Sequence, residues 1–267
     1  MPAIRIDDQN WQAHVTPPTG FSRGYEARRA PYGSIPCAAV AETMPLIPRS
    51  EWRDRIRQKE KDKSRLTDHW RDAGKPCFDQ DGIPYCHANS AAMAVMMIRV
   101  VMNEPFVLLS PASIGGPVTG YKKQGAVIED DLQVLAERGC CTQEFLGPNE
   151  INKAKNESPA ATANAALHKV TEWWDFGYRN EIGTDAMLDR CATAALNNIP
   201  VPTGYDWWGH STLILDLIYD EATGLWGFDE LNSWGPDYGE GGLFRLVGNK
   251  AIPDAAYAPR VTGASNQ

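Results

Sequence analysis

The chain has 267 residues and a formal net charge of −8, with 43% apolar and 22% charged residues; this is enough to bury one large core, and it excludes a disordered or fibrous chain. The acidic balance, with no concentrated basic stripe, argues against nucleic acid or an anionic membrane as the main partner. The longest apolar run, Ser90 to Met102, is broken by Arg99 and falls short of the ~20 residues that a membrane span needs.

The opening MPAIRIDDQNWQAHV lacks a continuous apolar core behind a positive start, so no secretory signal is expected, and the protein is expected to stay in a cytosol or to be packaged from one. Cys37, Cys77, Cys86, Cys140, Cys141 and Cys191 are then expected as free thiols; no C-x-x-C pair occurs and the histidines are scattered, so no structural zinc site is expected. Residues 1 to about 47, with TPPTGFSRGYEARRAPYGSIP at their centre, show neither helical nor strand periodicity and predict an extended arm. From Ser50 the text turns to EWRDRIRQKEKDKSRLTDHW, a charged helix whose thin docking stripe is Trp52, Ile56, Leu66 and Trp70.

Gln80 to Val101 reads QDGIPYCHANSAAMAVMMIRVV: a turn, one cysteine, then a helix apolar on every side. Cys86 stands at its first turn, where the helix dipole lowers a thiol pKa and makes a nucleophile candidate. LLSPASIGGPVTG, residues 108–120, predicts a loop with Gly115 and Gly116 as turn residues. QGAVIEDDLQVLAERG predicts a short amphipathic helix, introduced by Gly125, with acids in its first turn and Gly139 as its C-terminal cap. Residues 147–183 are unassigned. Thr184 to Asn198 predicts another helix, after which IPVPTGY, HSTLILDLIYD, LWGFDELNSW and GLFRLVG predict antiparallel strands. Helices followed by a sheet make an α+β chain.

A thiolate nucleophile needs a base, and the base needs a group to orient it. His210 opens the strand STLILDLIYD and Asn232 closes the next, so adjacent strands can bring the two side chains together at one sheet edge, where the amide fixes the imidazole tautomer.

The order Cys, His, Asn, with Q-D-G-I-P-Y-C-H-A before the buried helix, G-H-S-T before a strand and N-S-W-G-P-D-Y-G-E-G-G-L-F near the end, resembles the papain-like cysteine peptidases. Gln80, six residues before Cys86, stands where that family has a glutamine; DHWRDAGKPCFDQ and GAVIEDDLQVLAERGCCTQEF resemble its opening segment and its cleft helix. The resemblance covers roughly Thr67 to Val247. It implies a two-lobed fold, with a helical N-terminal lobe holding the nucleophile helix and an antiparallel sheet as the C-terminal lobe. It also implies Cys86 as nucleophile, His210 as acid and base, Asn232 as its orienting residue, and Gln80 with the Cys86 N–H as oxyanion donors. Trp234 would shield the Asn232–His210 bond, Gly125 would let an extended substrate approach, and His87, where the family has tryptophan, would alter the wall beside the sulfur. No cofactor or metal is implied.

The resulting division is an arm plus charged helix over residues 1–66, a catalytic domain over 67–250 and a tail over 251–267. The expected activity is hydrolysis of peptide or isopeptide bonds. The alternative is a papain-like scaffold with little activity, attached through its arm to a large assembly such as a phage capsid.

Overall fold

The computed structural model describes residues 4–260. Its centre is the helix α3, Cys86–Val101, in which every residue from Cys86 to Ile98 is buried. An all-round apolar helix must be covered on all sides, and the surrounding elements do this. Of the two helices of the charged segment, α2 (Leu66–Asp72) packs against it, whereas α1 (Arg49–Asp62) belongs to a second core on the far face of the sheet. They are separate because Lys63 takes a left-handed backbone conformation that ends α1. The stripe residues Trp52, Leu66 and Trp70 are wholly buried. Two further helices, α4 (Ala112–Val118) and α5 (Ile128–Glu137), follow α3 and pack on it.

The segment expected to be a loop is therefore helical at Ala112–Val118, with Gly115 and Gly116 inside α4 rather than at a turn. Packing accounts for both glycines. A Cβ on Gly115 would lie 2.8 Å from the Tyr85 ring, and one on Gly116 would lie 2.9 Å from the Tyr121 ring. Beyond α5 come the short helices α6 (Lys153–Asn156) and α7 (Pro159–Ala165), then a strand and the helices α8 (Arg179–Ile182) and α9 (Thr184–Leu196).

The sheet draws on both ends of the chain. Two short strands of the arm, β1 (Arg5–Ile6) and β2 (Ala38–Val40), join β3 (Trp173–Tyr178), β4 (Val201–Tyr205), β5 (His210–Asp220), β6 (Leu225–Leu231), β7 (Leu243–Val247) and β8 (Ala255–Pro259) in the order β1-β7-β6-β5-β4-β8-β3-β2. The interior pairings are antiparallel; the two edge strands pair parallel to β7 and β3. The arm thus closes both edges of the sheet. The stretch expected as a tail from residue 251 instead supplies β8, inserted between β4 and β3 because its alternating side chains fill both cores; residues 261–267 lie outside the described residues. The chain is α+β, as expected.

Both faces of the sheet are covered. Leu213 and Leu215 of β5 face the core around α3, whereas Ile214 and Leu217 face the core around α9 and Trp52. Two-sided burial explains why this strand reads as one apolar run. Its interior acid, Asp216, is buried and accepts the N–H groups of Leu66 and Thr67, both at 3.0 Å, which caps the start of α2 and ties it to the sheet. No helix among the described residues is long and apolar enough to cross a membrane.

Alanine in place of a mid-helix glycine ordinarily stabilises by about 1 kcal/mol. At Gly115 the Tyr85 ring cannot retreat, because its hydroxyl is bonded to Thr119 at 2.8 Å and donates to the Lys122 carbonyl at 2.9 Å. Gly115→Ala is therefore expected to destabilise, by about 1–3 kcal/mol. Urea denaturation checks the sign.

Candidate active site

The site forms where the head of α3 meets the first residues of β5. Cys86 is the first residue of its helix, and Ser90, one turn on, bonds through its hydroxyl to that of Ser211 at 2.7 Å. His210 precedes Ser211 and opens β5. The sulfur and the imidazole carrier are thereby held together, although 124 residues separate them in sequence.

Asn232 follows β6, which pairs with β5. Its Oδ1 accepts the Ser233 N–H at 2.7 Å and also faces His210 Nε2 at 2.8 Å. Because that oxygen is an acceptor, the proton of the neutral imidazole must lie on Nε2, leaving Nδ1 bare. Nδ1 has no hydrogen-bond partner among the described residues. Trp234 stacks on the His210 ring at 4.5 Å between centroids and an interplanar angle of 29°, while Trp208 meets it edge-on at 4.9 Å. These rings exclude water from the His210–Asn232 bond. Gln80 is oriented by Ser233, whose hydroxyl donates to Gln80 Oε1 at 2.5 Å, so the amide nitrogen turns toward the cleft.

Solved structures resemble this arrangement of elements, although no protein-family model and no curated protein matches the sequence. Xylellain, a cysteine protease from Xylella fastidiosa, superposes with a TM-score of 0.53 at 19% identity, over 70% of this chain and 83% of that one. Procathepsin L 3 of the Tenebrio molitor larval midgut gives 0.60 at 17% identity, over 95% and 79%. The bromelain protease from Ananas comosus, in complex with the E64 inhibitor, gives 0.55 at 17%, over 72% and 97%. The fold is papain-like.

In this papain-like cleft lies the chain's own arm. The Gly24 N–H donates to Cys86 Sγ at 3.1 Å. The Ser22 carbonyl accepts from Gln80 Nε2 at 3.0 Å and from the Trp234 indole N–H at 3.2 Å. Phe21 stacks on Trp234 at 6.0 Å. Past Gly24 the arm pairs with the residue after Gly125: Ala126 N–H donates to the Gly24 carbonyl at 2.9 Å, and Glu26 N–H donates to the Ala126 carbonyl at 3.0 Å. A Cβ on Gly125 would collide with the Gly24 backbone, so the glycine does admit an extended segment here. Arg28 then anchors the arm in a buried two-point pair with Asp175, one bond of which is 2.7 Å.

Burial reverses the expected electrostatics of the thiol. Burial pushes Cys86 up from 9.0 to about 11, even though the N–H groups of Gly24, Ser211, His87 and Tyr25 oppose it. Burial likewise pulls His210 down from 6.5 to about 3; the Asn232 bond opposes this, and the Arg23 charge on the arm reinforces it. Thiol and imidazole are both neutral while the arm is seated.

His87 differs from its expected place. Its ring is fully buried, with Nδ1 2.7 Å from Asp131 Oδ2 on α5 and its edge against Tyr85, and none of its polar or ring contacts among the described residues is with the arm. It joins α3 to α5 instead of forming cleft wall, because a buried imidazole seeks a polar partner. Sequence reasoning passed over Ser233, which lies inside the N-S-W-G run and could have been noticed there. It also passed over Trp208 and Ala126, for which no local signal exists.

Keeping His210 neutral in the folded state stabilises the protein above pH 6.5, and that contribution is lost as the pH falls through about 3. Across this window wild type is expected to lose stability relative to His210→Gln by about 1.4 kcal/mol per pH unit. Urea titrations at several pH values measure the difference; parallel curves would show that the imidazole is not buried neutral.

Proposed function

We propose that the chain is a cysteine peptidase kept latent by its own arm. The observation that carries this is the pair of contacts made by Ser22 and Gly24, because they occupy the two positions that an amide substrate would need. Gln80, which would otherwise donate to a developing oxyanion, holds the Ser22 carbonyl. The sulfur faces the N–H of Gly24, a donor with no electrophilic carbon. The carbonyl in the donor site and the N–H at the sulfur belong to consecutive peptide units on either side of Arg23, so the arm fills the site without presenting a single bond for attack. The likeness to procathepsin L 3 spans 95% of this chain and so reaches into the arm.

With the arm displaced, water reaches both groups and relieves the desolvation that holds each neutral. His210 Nδ1 then takes the Cys86 proton. The thiolate adds to the carbonyl carbon of an extended peptide, and the oxyanion forms against Gln80 Nε2 and the N–H of Cys86. Collapse expels the amine, which leaves with the proton from His210. A water, deprotonated by His210, hydrolyses the thioester and returns the thiol. Asn232 keeps Nδ1 directed at the sulfur throughout, and Trp234 keeps water off the Asn232–His210 bond.

A side chain at residue 24 has no room, since a Cβ would overlap the Pro84 carbonyl. Gly24→Val should therefore expel the arm. We expect it to cleave a peptide library at least about tenfold faster than wild type, equivalent to about 1.4 kcal/mol or more of lost arm binding, and Gly24→Val with Cys86→Ala to be inactive. Its Cys86 should also outpace the other five cysteines in alkylation at mildly acidic pH. A silent Gly24→Val whose six thiols react alike would end this proposal.

A further inference from the structure

One fully buried acid has no part in the chemistry above. Glu230 stands in β6, two residues before Asn232, and Thr212 stands in β5, two residues after His210. Side chains two apart along a strand share a face, so Glu230 and Thr212 lie on the same face as Asn232 and His210, one step further into the core. Tyr205, in β4, is the register partner of His210. Although β5 separates β4 from β6, the Tyr205 hydroxyl reaches across it and donates to Glu230 Oε1 at 2.6 Å, and Oε2 is bonded to the Thr212 hydroxyl. Thr203, opposite Thr212, lies 3.3 Å from its hydroxyl and donates to its carbonyl at 3.0 Å. One carboxyl therefore bonds three adjacent strands together.

The group is costly to keep there. Burial pushes the Glu230 carboxyl up to about 8 against the opposing Thr212 and Tyr205 bonds, so it is held as the neutral acid. The titratable groups facing it offer no counter-charge: Tyr205, the Cys191 thiol on α9 and Tyr238 are neutral, and Asp229 is a second acid, already paired with Arg245. An apolar side chain of similar volume would fill the space without this desolvation. The backbone shows where the carboxyl is needed. Between Ile214 and Asp216 the register of β5 against β6 shifts, and such an irregularity re-aims the strand beyond it. His210 lies beyond that shift, where the register continues through Ile214 with Glu230 and Leu213 with Leu231.

We infer that Glu230 is a positioning residue: with Tyr205 and Thr212 it staples the re-aimed end of β5 to β6 and β4, and so fixes the contact between His210 Nε2 and Asn232 Oδ1. Only the kinetic consequence of this inference rests on the peptidase reading.

The contact itself is measured in the full-length chain by nuclear magnetic resonance. The His210 Nε2–H proton, identified by its loss in His210→Gln, reports the contact through its exchange with water. Glu230→Leu leaves no hydroxyl stranded, since Tyr205 can turn to the Ala251 carbonyl at 3.3 Å and Thr212 to Thr203. It is expected to speed the exchange at least about tenfold, whereas Glu230→Gln, whose amide accepts from Tyr205 and donates to Thr212, should stay within about threefold of wild type. Tyr205→Phe combined with Thr212→Val should reproduce Glu230→Leu, and adding Glu230→Leu to that pair should change nothing further, because all three remove one staple. In the Gly24→Val chain, Glu230→Leu should lower kcat for peptide cleavage at least about tenfold with KM within about threefold, and Glu230→Gln should restore it. Exchange unchanged in Glu230→Leu, exchange equally fast in Glu230→Gln, or a kcat that Glu230→Leu leaves intact overturns the inference. If the exchange series holds while no peptide is cut, the peptidase reading fails and the staple stands.

Discussion

The contact on which the site depends is the wedge between the head of α3 and the start of β5. Neither element can move independently: α3 is buried from Cys86 to Ile98, and β5 is covered on both faces. Where they meet, the Ser90 and Ser211 hydroxyls join at 2.7 Å, one helical turn from the sulfur and one residue from the imidazole. A packed interior has little freedom to adjust, so Cys86 and His210 are placed by the core. The polar groups then refine that placement, with Asn232 accepting from Ser233 to direct the imidazole and Ser233 turning Gln80.

Two effects compete at the thiol. A helix N-terminus favours the thiolate by about 0.3–1 kcal/mol, up to ~2 in buried geometries. Displacement of the thiol from 9.0 to about 11 amounts to roughly 3 kcal/mol in the other direction. Burial therefore outweighs the dipole together with four backbone donors. The same burial suppresses the charged imidazole, with the Arg23 cation nearby. The proposed latency would in this sense be electrostatic as well as steric, since an ion pair of thiolate and imidazolium is not maintained without solvent.

The arm is also built into the fold. Its first strand lies at one edge of the sheet, beside β7, and its last lies at the opposite edge, beside β3. Between them the chain crosses the cleft, held by Arg28 on Asp175 and by the short ladder with Ala126. A strand edge left bare would invite pairing with other chains; here the segment that closes both edges is the one that covers the site.

The sequence by itself determined the α+β class, the buried helix with Cys86 at its head, the helix between Gly125 and Gly139 and the run of strands after the helix that opens at Thr184. Each is a local signal, carried by periodicity, end-capping residues or turn glycines within a few residues. The grouping of Cys86, His210, Asn232 and Gln80 was legible only through ordered motifs, because their meeting depends on strand pairing that no local pattern encodes. Tertiary structure decided the rest. Gly115 and Gly116 looked like turn residues until the rings of Tyr85 and Tyr121 filled the space their missing side chains leave. His87 turned to Asp131 because burial demands a partner. The arm, shapeless by periodicity, took its course from complementary groups far along the chain, and with it the ionisation of Cys86: a pKa depends on solvent exposure, and exposure is settled only when the whole chain has packed.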